Sequence, residues 1–352
     1  MKTLVCTKIK VLRLSCMLFA IAISCAAQSN VQPVQLTCEH MVNPSVVDAA
    51  SPRLSWINEV ASDKIRGEYQ KAYRICVASS KGKLLKGEAD VWDSGKLSSH
   101  DSYLLPYAGS KLQSGKDYWW RVMVWDSNDV ASSWSAPAFW GMGLLSPDDW
   151  KAKWIGSTWQ GEDPRKVISN YSARFIRNRT RNYTHYPYYP APLLRKSFNI
   201  KDNVASAKVF VTGLGYFEFY MNGKKVGDDY LVPNFTNYSL REDLKYEHFY
   251  RAIDNNFRGY RVMYLAYDIT GMLQKRQNVA GAIIGDGFYD CTSHWTVSFG
   301  SPRFLCQIEI TYKDGTKDII CSDETWKVKE SPIVMNGPYD GEIYDANRET
   351  DG

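Results

Sequence analysis

Apolar and polar residues alternate at period two along most of the chain, the spacing of strands with one buried face. Residues 73–78 (YRICVA) and 118–125 (YWWRVMVW) show it most clearly, and similar runs recur between turn signals. That recurrence predicts antiparallel sandwiches rather than βαβ units. Within 118–125 the alternation puts Tyr118, Trp120, Val122 and Val124 on the core face. Trp119, Arg121, Met123 and Trp125 fall on the outer face, where Arg121 is expected to stack between the rings. Further on, 208–212 and 216–221 read as strands, and Asn222-Gly223 as a two-residue hairpin turn with positive φ at both positions. Asp314-Gly315 is expected to do the same between 307–312 and 316–321. Polar residues 156–190 read as an extended loop, and 239–258 as an insertion that includes a short helix.

At 352 residues the chain is long enough for two or three domains. With 44% hydrophobic and 23% charged residues it has the balance of a folded protein. Its 12 Trp and 23 Tyr suit β-cores and cross-strand ladders first, and sugar faces second. The first 27 residues read as an export signal. Lys2, Lys8, Lys10 and Arg13 precede the apolar run Cys16–Ile23, and Ser24, Cys25, Ala26 and Ala27 offer a cleavage site. Lipoprotein processing at Cys25 is the alternative. Either route predicts a periplasmic or cell-surface protein without a transmembrane span, since the run is too short to cross a bilayer. Those 27 residues hold four basic and no acidic side chains, so the formal charge of +5 falls to +1 without them. Nucleic acid is therefore not an expected partner. Cys38, Cys76, Cys291, Cys306 and Cys321 follow the signal without a C-x-x-C pair, which argues against a zinc or redox motif. Cys76 reads as a small core residue, and a disulfide among the last three is permitted. The five histidines, at 40, 100, 185, 248 and 294, lack metal-binding spacing.

Several segments in a fixed order carry a family resemblance. Leu36–Glu39, Ser51–Trp56, Trp92–Lys96, Tyr118–Arg121 and Ser133–Ser135 resemble the fibronectin-III-like module that opens many bacterial α-L-rhamnosidases of glycoside hydrolase family 78. Pro192–Phe198, Val211–Tyr216, Asn222–Asp228, Tyr267–Thr270, Gly285–Tyr289 and Tyr339–Asp345 resemble the β-sandwich domain that comes next in that family. The expected fold is all-β: a fibronectin-III-like sandwich over 34–145, a linker over 146–191, and a jelly-roll or galactose-binding-like sandwich over 192–352. The second sandwich is expected to be incomplete at its C-terminal end, before an (α/α)₆ barrel that would be its intramolecular partner.

The resemblance implies hydrolysis of terminal α-L-rhamnosyl residues in glycans with inversion. Inversion needs a carboxylic acid and a carboxylate roughly 6.5–9.5 Å apart across the sugar. In the family that pair lies on the barrel, so no catalytic residue is expected in this chain, and the chain alone should be inactive. The acidic pairs Asp228 with Asp229, Asp286 with Asp290, and Glu342 with Asp345 read as turn and surface groups. Scaffolding is the expected role, with sugar binding beside it. The resemblance implies a rhamnose site, with no cofactor required but with room for a Ca²⁺ ion. Asp228, Asn234, Asn237, Asp286 and Tyr289 would line that site. The family more often has an aspartate where Asn237 stands. The alternative is a free-standing rhamnose-binding protein without hydrolase activity.

Overall fold

The computed structural model describes residues 29–62, 64–159, 189–236, 238, 261–291, 297–339 and 341–350, without the side chains of 291, 297 and 298. The expected signal, most of the 156–190 loop and the 239–258 insertion lie outside these residues. Nearly every regular element is a strand, and the strands build two sandwiches, so the all-β expectation holds.

In the first sandwich the strands are β1 (Val31–Cys38), β2 (Arg53–Val60), β3 (Ala72–Ala78) and β4 (Trp92–Asp93). β5 (Leu97–Ser98), β6 (Leu105–Pro106), β7 (Asp117–Trp125) and β8 (Ala138–Gly141) complete it. β1, β2 and β6 form one antiparallel sheet, and β4, β3, β7 and β8 the other, with β5 also on β3. A single helical turn, α1 (Lys81–Leu85), follows β3. Ser80 caps it by accepting from the Lys83 amide, and Leu84 plugs it into the sheet. The alternation of β7 is realised as expected: Tyr118, Trp120, Val122 and Val124 are buried beside Trp140. On the outer face, however, Arg121 does not lie between its strand neighbours. It sits over Trp134 at 4.3 Å, while Lys81 covers Trp119 and Lys96 covers Trp125. The Ser132–Ser135 segment hydrogen-bonds along β7 through Ser132 and Ser135, and this lays the Trp134 ring across the sheet where sequence spacing gave no hint of it.

The second sandwich comprises β9 (Pro192–Asn199), β10 (Val204–Leu214), β11 (Phe217–Met221), β12 (Lys224–Lys225), β13 (Leu265–Asp268) and β14 (Gln277–Ile284). After these come β15 (Asp290–Cys291), β16 (Val297–Ser298), β17 (Arg303–Tyr312), β18 (Lys317–Cys321) and β19 (Lys327–Glu330), then β20 (Ile333–Gly337) and β21 (Gly341–Tyr344). One sheet runs β13-β10-β17-β18 and faces β12-β11-β14-β9-β19; β15-β16 and β20-β21 are separate hairpins. Alternate residues of β10, β11, β14 and β17 close the core around Phe304, Phe219 and Met221. Asn222 and Gly223 both have positive φ, as the hairpin requires. The second turn differs. Only Gly315 has positive φ, and the Asp314 carboxylate instead accepts from the Thr316 amide and hydroxyl. An Asp side chain that closes its own turn removes the need for a left-handed backbone at that residue. Cys306 and Cys321 are free thiols. Gln307 lies opposite Cys321, so Cys306, one residue along, points to the other face of the sheet.

The two sandwiches meet through a continuous junction. Leu144, Phe210 and Ala266 are buried together, with Val46, Trp150 and Tyr264 packed on them. The Trp150 and Tyr264 rings meet edge to face at 5.2 Å. Polar groups are matched across the same surface. The Tyr264 hydroxyl accepts from the Leu144 amide and donates to Asp48 Oδ1, and Lys208 pairs with Asp117. Gln307 is fully buried: its Oε1 accepts from the Lys151 amide at 2.7 Å and its Nε2 donates to the Asp149 carbonyl at 3.1 Å. A buried carboxamide with both ends satisfied fixes the connecting segment on β17.

Candidate functional site

β14 ends in the turn Gly285–Tyr289, which is pressed against the turn between β10 and β11. Gly285 donates its amide to the Tyr216 carbonyl, and Gly215 adopts φ of 111°. A Cβ on Gly215 would stand 2.2 Å from the Gly285 carbonyl oxygen, so only glycine permits this approach. Asn336 of β20 clamps the turn by accepting from the Asp286 amide at 2.7 Å. Around it stands a group of aromatic rings. Phe288 touches Tyr216, Phe235 and Tyr339, with centroids 6.0, 5.9 and 5.8 Å away. Tyr289 packs on Tyr238 and Phe299 at 5.1 and 5.9 Å.

Asp286 retains some solvent contact, yet its carboxyl is crowded by protein. Burial first, and the Asp290 charge second, lift its pKa well above the ordinary carboxylate range. A raised carboxyl pKa stabilises the folded state least at high pH. The unfolded chain releases the proton above the ordinary value of 3.8, while the folded chain keeps it until the higher value is passed. Asp286→Asn should therefore raise the melting temperature at pH 7, with the gain shrinking as pH falls towards 4. A variant that melts lower than the parent at pH 7 would contradict this environment.

The second locus is a cleft between the sandwiches, about 440 Å³ in volume. Val46 and Asp48 line it from the first, and Asp229, Tyr230, Val232, Pro233, Asn234 and Arg261–Leu265 from the second. Gly227, at φ 74°, brings the loop after β12 against the Tyr267 ring, whose hydroxyl donates to Asp229 Oδ2 at 2.7 Å. The Val232 carbonyl accepts from the Phe217 amide and ties the loop's far side to β11.

The five residues singled out from sequence do not form one site. Asp286 and Tyr289 belong to the aromatic group, and Asn234 faces the cleft. Phe235, next to Asn234, leads from one locus to the other through Phe288. Asp228 is exposed and lines neither, and Asn237 lies outside the described residues. Among the described residues no group of three or more His, Cys, Asp or Glu could hold a metal ion. Asp48 and Tyr264 were missed, and Asp229 was read only as a turn or surface group, because the cleft joins distant positions, Asp48 and Tyr264 lying 216 residues apart.

Comparison with known proteins agrees with this architecture. Residues 33–146 match the Rha78A-like N-terminal immunoglobulin domain, and residues 202–250 and 253–352 match the alpha-L-rhamnosidase N-terminal domain. An alpha-L-rhamnosidase of Formosa agariphila is 36% identical over 317 residues, covering 87% of this chain and 30% of the relative. One of an Alteromonas species is 35% identical over 340 residues, covering 94% and 33%. The alpha-L-rhamnosidase structure from Dictyoglumus thermophilum superposes with a TM-score of 0.72 at 31% identity, over 91% of this chain and 32% of that one. The chain thus spans about a third of the length of these relatives. Its two sandwiches are the N-terminal immunoglobulin-like and β-sandwich domains of the α-L-rhamnosidase family.

Proposed function

We propose that this chain is the scaffold portion of an exported α-L-rhamnosidase, and that its own residues hold no reaction centre. The observation that carries the reading is the junction: Gln307, Tyr264 and Trp150 join the two sandwiches into one platform. A hydrolase that inverts needs two carboxyls facing across a sugar. Each acidic pair singled out from the sequence has at least one member in a structural task. Asp229 accepts from Tyr267, and Asp345 caps a helical turn by accepting from the Asn347 amide. Asp286 and Asp290 belong to one tight turn, in which the Asp290 amide donates to the Asp286 carbonyl. The terminal α-L-rhamnosyl substrate and the inverting course come to this chain from its family. Export rests on the charged and apolar pattern of the first 27 residues.

The purified chain should release no 4-nitrophenol from 4-nitrophenyl α-L-rhamnoside above the buffer rate. Release that disappears in the Asp286→Asn variant would overturn the scaffold reading.

A further inference from the structure

We propose that the cleft between the sandwiches binds a neutral pyranose unit, with Asp48 and Asp229 as the groups that accept its hydroxyl protons. Each carboxylate is already oriented by a tyrosine. Tyr264 donates to Asp48 Oδ1 at 2.6 Å, and Tyr267 donates to Asp229 Oδ2 at 2.7 Å. Among the described residues no hydrogen bond takes the second oxygen of either. Both carboxylates are exposed on the cleft wall, so accepting from a ligand costs them little further desolvation. Hydrogen bonds to an ionised acceptor are the stronger kind, and vicinal hydroxyls are donors that suit it.

The remaining lining completes a sugar site. Asn234 supplies an amide that both donates and accepts. Tyr230 is 77% exposed, with the Lys225 ammonium 4.0 Å from its ring, and offers a flat apolar surface at the rim. Val46, Val232 and Pro233 provide apolar wall for the C–H face of a ring. The volume falls within the range of roughly 300–1,000 Å³ usual for small-ligand sites, and domain junctions are a common place for them. Two carboxylates on the wall disfavour an anionic sugar. The ligand would contact both sandwiches at once.

The inference stands apart from the scaffold reading, because binding and hydrolysis are read separately. The full chain is titrated calorimetrically with methyl α-L-rhamnopyranoside, methyl α-D-glucopyranoside and D-galacturonate, each with and without EDTA. At least one neutral glycoside should bind at one site per chain, unaffected by EDTA, with galacturonate weaker. Asp229→Asn and Asp48→Asn should each weaken binding by about tenfold or more, and Asp286→Asn should leave it unchanged. Asp229 lies on an exposed loop, so an unaltered melting curve keeps that variant decisive even if Asp48→Asn disturbs the junction. The proposal fails if neither neutral glycoside binds, if Asp229→Asn binds as the parent does, or if EDTA abolishes binding.

Discussion

Replacing Phe304 with alanine should destabilise the second sandwich by about 3–5 kcal/mol, the range for removing a large buried aromatic. Phe304 is fully buried on β17, where it contacts Phe217, Phe219 and Trp326 with centroids 6.0, 6.2 and 5.7 Å away. Its backbone also pairs with Ile155, but alanine keeps those bonds, so the loss isolates side-chain packing. The surrounding strands belong to two sheets and cannot collapse into the space without losing their own pairing, so the cavity term is retained. Urea unfolding would show this as a lower midpoint with an unchanged slope. A shift worth less than about 1 kcal/mol would mean that the core around Phe304 is looser than the structure shows.

Gly215→Ala is expected to be nearly as damaging by a different route. The backbone at φ 111° is a conformation that side-chain-bearing residues resist, at a cost of about 1–3 kcal/mol. The new methyl would also press on the Gly285 carbonyl, adding about 1–3 kcal/mol of overpacking unless the turn moves. Movement of that turn displaces Asp286, Phe288 and Tyr289 together. The variant should therefore lose near-ultraviolet circular dichroism from the aromatic group as well as stability. Gly271→Ala is the control, since a Cβ there meets nothing within 4 Å. Equal effects from the two substitutions would remove the case for close approach at Gly215.

Local patterning revealed much of the fold. The alternation of 118–125 announced which face of β7 is core, and Asn222-Gly223 announced its hairpin, because both depend on residues a few positions apart. What escaped the sequence depends on distant partners. Arg121 had tryptophans beside it in sequence but found Trp134 on a neighbouring segment. Asp314 and Gly315 looked like a copy of the first turn, yet one side-chain hydrogen bond changed the backbone that was needed. Gln307 looked like one polar position in an alternating strand, and it proved to be the buried group that holds the connecting segment on the second sandwich. The candidate site followed the same rule. The Gly285–Tyr289 turn was visible as a motif, while the cleft was not, since its carboxylates come from different sandwiches.

If the junction makes one platform of the two sandwiches, heat should unfold them together. Scanning calorimetry of the intact chain should give a single transition whose calorimetric and van't Hoff enthalpies agree. Gln307→Ala, which removes the side-chain bonds to the Lys151 amide and the Asp149 carbonyl, should split it into two. Two well-separated transitions in the unaltered chain would contradict the fused platform.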